Sequence, residues 1–229
     1  GSAGGTIEIL GEKLAPGGII NVVLGGNIIG DKIGVGIGRV HYQSTCWIGT
    51  VGEDASDSYH MIPACVEIRN DDRILVIGAG GPMGQMHMIR NICSGLQGLK
   101  LVGTDLSDER LESLKQKTEK LAADHNVGLE LINNRDESLT GTFSYIAIMV
   151  PRSELVEEAI ERASNDCIIN IFSGIPAPVK HEINLDACIQ KRCFMYGTSG
   201  STIEDMKIVL NKVTGGLLNT NKAVDAVSG

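Results

Sequence analysis

The chain has 229 residues, 42% of them hydrophobic and 21% charged, which is enough apolar material for one large domain or two small ones. Its formal net charge of −8 weighs against a nucleic-acid backbone or an anionic membrane as partner. No apolar run reaches the roughly 20 residues needed to cross a bilayer, and no signal peptide is recognised at the start.

The opening GSAGG (1–5) reads as a tag remnant or linker, and NKAVDAVSG (221–229) carries no terminal signal, so the chain is expected to be a fragment of a longer protein. TIEILGEKLA (6–15) predicts a helix. After it, GGIINVVLGG (17–26) echoes CIINIFSGIP (167–176), and CWIGTVGEDASDSYHMI (46–62) echoes FMYGTSGSTIEDMKIVL (194–210). Ile19 to Gly49 is 30 residues and Ile168 to Gly197 is 29. Two matches in order at nearly equal separation predict that residues 6–62 are a partial copy (helix, strand, strand, helix) of the last third of a domain spanning 63–229. A generic strand–helix likeness is the alternative.

From residue 73 onward, strands and helices alternate. RILVIG (73–78) is a β-branched run bounded by glycine, as expected of a strand buried on both faces. A helix from Pro82 closes at Gly95. LKLVGT (99–104) is the next strand, and Ser107 caps the helix DERLESLKQKTEKLAADH, whose leucines 111, 114 and 121 share one side. LELIN (129–133), YIAIMV (145–150), CIINIF (167–172) and CFMYGT (193–198) supply four more strands, with helices SELVEEAIERAS (153–164) and IEDMKIVLNKV (203–213) between and after them. Six strands with helical crossovers predict an α/β Rossmann fold, a doubly wound parallel sheet, to which the N-terminal repeat adds about two strands.

Gly78, Gly80 and Gly84 form G-x-G-x-x-x-G between the first of these strands and its helix. Gly78 permits a tight turn, Gly80 lets a pyrophosphate approach the main chain, and Gly84 brings the helix close to the sheet. The N–H groups of the first helical turn then hold the anion, and Pro82 gives up only a donor that would have been free. Glycines at such turns also serve packing alone. Asp105, 27 residues after Gly78 at the end of the second strand, tips the reading towards a dinucleotide: it can accept both hydrogen bonds of an adenosine ribose diol and repels a 2′-phosphate. This predicts NAD. Arg110 leaves NADP as the alternative.

With these residues in place, the chain resembles the coenzyme-binding domain of the medium-chain dehydrogenase/reductase superfamily, the zinc-type alcohol and sorbitol dehydrogenase-like proteins. VIGAGGPMGQM resembles the family's phosphate turn with one extra glycine, GTDLSDERL its ribose-binding strand end, and LAPGGIINVV and GTSGSTIEDMKIVL its last two strands and closing helix. The GGPMG form is most similar to members acting on polyols and sugar phosphates. The resemblance implies an oxidoreductase of an alcohol, polyol or sugar phosphate, with NAD or NADP as cofactor. It places Gly78, Gly80, Gly81, Pro82 and Met83 at the pyrophosphate, Asp105 at the ribose and Asn133 near the adenine. Val150, Pro151, Ser173, Gly174, Gly197, Thr198 and Ser199 would border the nicotinamide. The family's last strand commonly pairs across a homodimer, so TCWIGT (45–50) is expected either to extend the sheet beside CFMYGT or to pair with it across a subunit boundary.

Departures from the family restrict what the chain does alone. It has no N-terminal barrel-like domain, no G-H-E motif and no closely spaced structural-zinc cysteines. Zinc is therefore expected only in a catalytic domain missing from this chain, and no catalytic residue or metal ligand is nominated. His41 and Cys46 are read as packing residues. The six cysteines lack CxxC spacing and are read as buried, reduced thiols of a cytoplasmic protein. The rival functional readings are a non-catalytic nucleotide-sensing or assembly module and an S-adenosylmethionine-dependent methyltransferase.

Overall fold

The computed structural model describes residues 3–197 and 199–224. The N-terminal part runs α1 (Ala3–Glu12), β1 (Ile19–Val23), β2 (Ile33–Val35), α2 (Ile37–Gln43), β3 (Cys46–Thr50) and a 3-10 helix (Asp57–Met61). Then come β4 (Arg73–Ile77), α3 (Pro82–Ile92), β5 (Lys100–Asp105), α4 (Asp108–Asp124), β6 (Gly128–Asn133) and β7 (Phe143–Ile148). The remainder is α5 (Glu154–Arg162), β8 (Ala163–Ile171), β9 (His181–Ile183), α6 (Leu185–Gln190), β10 (Phe194–Tyr196), α7 (Ile203–Thr214) and a second 3-10 helix (Thr220–Ala223).

Six strands form a parallel sheet in the order β10-β8-β7-β4-β5-β6, the Rossmann arrangement expected, built from the six segments picked out as strands. The apolar runs of β4, β7 and β8 are buried almost end to end, as strands covered on both faces must be. β7 stops at Ile148, two residues short of the predicted 150, because Pro151 has no N–H for a ladder and restricts the residue before it. For the same reason α1 ends at Glu12 rather than Ala15: Pro16 follows, and Gly17 turns the chain at φ +73°.

The chain divides into two compact units, residues 68–140 with 200–229, and residues 1–67 with 141–199. In the first unit β4, β5 and β6 pair in parallel register, and α3 packs with α4. α4 begins at Ser107, whose hydroxyl accepts the Arg110 N–H at 3.3 Å, and buries Leu111 and Leu114. α7, also assigned to this unit, has a complete capping box at Thr202 and Asp205 but buries none of its residues.

In the second unit β7, β8 and β10 are joined by the N-terminal elements. TCWIGT does not extend the six-stranded sheet. Its strand β3 takes β1 as ladder partner, with Ile19 opposite Cys46 and Val23 opposite Thr50, in a separate two-stranded parallel sheet. The side chains still meet β10, since Ile48 and Met61 form one buried cluster with Phe194. The sequence reading missed β2 and β9, which pair antiparallel, and the short helices α2 and α6. Strands of three residues and helices of six or seven are too brief to show a period.

Ile146 lies fully buried in the middle of β7. Ile146→Ala should cost about 2–5 kcal/mol, read as a lowered urea midpoint from the fluorescence of the single tryptophan, the buried Trp47.

Candidate functional site

The strand β4 ends in a turn with no spare volume. Gly78 has φ +82°, a left-handed conformation that favours glycine. Its N–H and that of Ala79 both donate to the Thr104 carbonyl of β5 at 2.8 Å. A side chain at Gly84 would place Cβ 2.2 Å from the Gly78 carbonyl oxygen, so the first turn of α3 presses directly on the loop. Pro82 opens that helix, with Gly81 as its extended N-cap residue.

Gly80 is closely confined as well. Its N–H donates to Asp105 Oδ2 at 3.1 Å, and a Cβ there would lie 2.8 Å from the same oxygen and 2.6 Å from Arg110 Cβ. The other carboxylate oxygen, Oδ1, accepts the N–H groups of Leu106 (2.8 Å) and Ser107 (3.2 Å). Three backbone donors thus fix the carboxylate of Asp105 at the mouth of the turn, and each carboxylate oxygen keeps further acceptor capacity. Met83, on the first turn of α3, is exposed.

Two residues that the sequence reading did not single out hold this arrangement. Gln85 is buried on α3 and donates through Nε2 to the Gly80 carbonyl at 2.9 Å, while Lys117 Nζ of α4 donates to Gln85 Oε1 at 2.7 Å. The signal available in the sequence was position: Gln85 stands with Met88, Ile89 and Ile92 on the buried stripe of α3, where a polar residue needs a partner. Asn133, expected near adenine, is buried with both ends of its side chain engaged: Nδ2 donates to Asp108 Oδ1 at 2.6 Å, and Oδ1 accepts the Arg135 N–H at 3.0 Å.

The residues expected at the nicotinamide lie in the other unit. Ser173 is buried and donates its hydroxyl to the Val150 carbonyl at 2.8 Å, which brings these two together. Pro151, Gly174 and Ser199 are exposed, and Val150 is half-buried. Gly197 is buried, and a Cβ on it would lie 2.8 Å from both His41 Cα and the Ile171 carbonyl oxygen, so its missing side chain has a packing reason. Thr198 lies outside the described residues.

His41 Nδ1 sits 2.8 Å from the Ile171 carbonyl, and burial pushes the half-buried Cys46 thiol up to about 11. Both belong to the packing of their strands and helices. Among the described residues no three His, Cys, Asp or Glu side chains gather closely enough to hold a metal ion, and no helix is long and apolar enough to cross a membrane.

At pH 8 a thiol at about 11 is ionised to roughly one part in a thousand. Burial likewise raises Cys93, and the neighbouring Cys193 together with burial raises Cys188, while Cys65 is exposed. Iodoacetamide at pH 8 should therefore label Cys65 first. Cys46 should lag at least tenfold and accelerate as pH rises towards 10, followed by peptide mass spectrometry.

No family model matches the chain. Among curated sequences it is similar to the uncharacterised protein YggP of Escherichia coli K12, 24% identical over 196 residues that cover 80% of this chain and 46% of YggP. Among solved structures it is similar to a short chain alcohol dehydrogenase, RspB of E. coli CFT073, in complex with NADH (22% identity, 67% of this chain and 44% of that one, TM-score 0.51). A second is 2R,3R-butanediol dehydrogenase of Bacillus subtilis (15%, 68% and 43%, TM-score 0.52). A third is an E. coli oxidoreductase/dehydrogenase of unknown specificity involved in membrane biogenesis (16%, 75% and 50%, TM-score 0.54). The chain thus spans half or less of each of these four proteins, and what it shares with the three solved structures is the fold.

Proposed function

We propose that the β4–α3 turn binds the diphosphate and adenosine ribose of a nicotinamide dinucleotide, NAD in preference to NADP. In this reading the chain is the coenzyme-binding part of a zinc-type, medium-chain dehydrogenase acting on an alcohol, polyol or sugar phosphate. The observation that carries it is the contact between Gly80 N and Asp105 Oδ2. It sets a carboxylate beside a backbone that carries no side chain, at the carboxyl ends of two adjacent parallel strands, where open α/β sheets take their ligands.

Each residue then has a role that follows from its surroundings. Gly78, Gly80 and Gly81 leave the main chain bare for the diphosphate, and the dipole of α3 favours the anion. Asp105 accepts from the ribose hydroxyls and opposes a 2′-phosphate. Arg110, whose Cβ stands next to Gly80, is the residue that would favour NADP were the carboxylate removed. Gln85 of α3, itself held by Lys117, keeps the Gly80 carbonyl engaged. At the nicotinamide end the family resemblance assigns Val150, Pro151, Ser173, Gly174, Gly197, Thr198 and Ser199. When bound, the coenzyme accepts or gives up a hydride. The residues that activate a substrate, and the zinc, are assigned to the part of the longer protein beyond this chain. RspB, which shares the fold, holds NADH, and this supports the reading.

The test is a titration with NADH and NADPH followed by nicotinamide fluorescence. The chain should prefer NADH. Asp105→Ser should lose roughly tenfold in NADH affinity and gain for NADPH, as expected for the loss of a charged hydrogen-bond acceptor. Gly80→Val, which drives a side chain into Asp105 and Arg110, should abolish both. Equal weak binding by all three proteins would defeat the assignment.

A further inference from the structure

The second unit contains the same arrangement twice. Gly49 and Gly197 lie 148 positions apart, and so do every pair of residues between β2 and β3 on one side and β9 and β10 on the other when aligned without a gap. At that offset α2 falls on α6 and β3 on β10, and Ser44 and Arg192, at the ends of the two helices, both take φ 51°. One position further, at 149, α1 falls on α5 and β1 on β8. There Gly17 (φ 73°) matches Asp166 (φ 59°), and their N–H groups donate to the matching carbonyls of Gln43 (2.7 Å) and Lys191 (2.8 Å). Glu8 on α1 and Glu157 on α5 are also matched, and each accepts a backbone N–H at 2.7 Å, from Gly34 and from Asn184, which lies two positions beyond the match of Gly34.

Local likeness alone would indicate a repeat. The contacts between the two copies carry more, because they are reciprocal. Gly49 is hemmed by Ile189 (2.6 Å from an added Cβ) and the Val22 carbonyl, while its match Gly197 is hemmed by His41, the match of Ile189, and by the carbonyl of Ile171, the match of Val22. Gly38 lies against Pro176 and Ala177; its match Asp186 accepts N–H groups at 2.9 Å from Ile29, the match of Ala177, and from the next residue, Gly30. β2 and β9 pair antiparallel as Ile33–Ile183, Gly34–Glu182 and Val35–His181, a register that the 148-residue offset maps onto itself. Contacts in which i meets j, and the counterpart of j meets the counterpart of i, are the mark of a two-fold, isologous interface.

We propose that this unit is a two-fold pair of modules fused in one chain, residues 3–50 and 152–197, with its axis at the Gly34–Glu182 pair. The surface made by β9, α6 and β10 is a docking surface for a second copy of the same module, and its occupant is the N-terminal module of the same chain. The chain therefore does not use that surface to bind another molecule of itself.

The test is a cysteine pair across the axis, Gly34→Cys with Glu182→Cys. Directly opposed residues of an antiparallel ladder have Cα atoms about 4.5–5.5 Å apart, within disulfide range. Oxidation with copper-phenanthroline should link residues 34 and 182 within one chain, giving a linked peptide by mass spectrometry in a species that runs as a monomer. The unsubstituted chain should scatter light as 24.3 kDa across concentrations. A 34–182 link found between two chains, a folded protein that forms no link, or a doubled mass for the unsubstituted chain would each overturn the proposal. Should Gly34→Cys fail to fold, Val35→Cys with His181→Cys probes the next rung of the same ladder.

Discussion

The arrangement at residue 80 depends on one carboxylate having nowhere else to go. Asp105 ends β5, and the chain turns beyond it into α4 so sharply that its side chain folds back onto the N–H groups of Leu106 and Ser107 and across to Gly80. Because β4 and β5 are in parallel register, Ile77 opposite Thr104, the loop after β4 must pass that carboxylate at van der Waals distance. Only a residue without Cβ passes it. The glycine at 80 and the aspartate at 105 are thus one constraint stated at two places in the sequence, and the close seating of α3 over Gly78 follows from it.

That constraint was legible because its parts are chemically distinctive: glycine where a backbone must approach, an acidic residue at a strand end, serine before a helix. The buried strands were legible for a related reason, since β-branched runs bounded by glycine have few other uses. What the sequence concealed was geometry carried by ordinary residues. Gln85 looks like any polar helical residue until the carbonyl of Gly80 is found beneath it. Nothing in the sequence tells that the amide of Asn133, which the family resemblance places near the adenine, is engaged by Asp108 and Arg135. Nor does the sequence tell that Gly197 packs against His41, far away in the chain.

The same blindness to distant neighbours explains the N-terminal segment. Its kinship with the last third of the domain could be read from GGIINVV and CWIGT, but their use could not. A strand that resembles an edge strand invites the guess that it pairs with that edge. Instead, β3 pairs with β1 and meets β10 through side chains, with Ile48, Met61 and Phe194 in one buried cluster. Apolar contact and ladder pairing are separate ways to cover a strand, and the sequence pattern is the same for both.

The doubled architecture also sets an order of assembly. Within each module the ladder closes over a short span, from Ile19 to Cys46 and from Ile168 to Phe194. The contacts that join the modules bridge far more chain, His41 to Ile171 being 130 residues apart. By loop-closure entropy alone the longer closure costs about 1.4 kcal/mol more, and it gains nothing until both partners present formed surfaces. Each half must therefore acquire its own ladder first, and on a ribosome the N-terminal half waits, apolar face uncovered, while more than a hundred further residues are made.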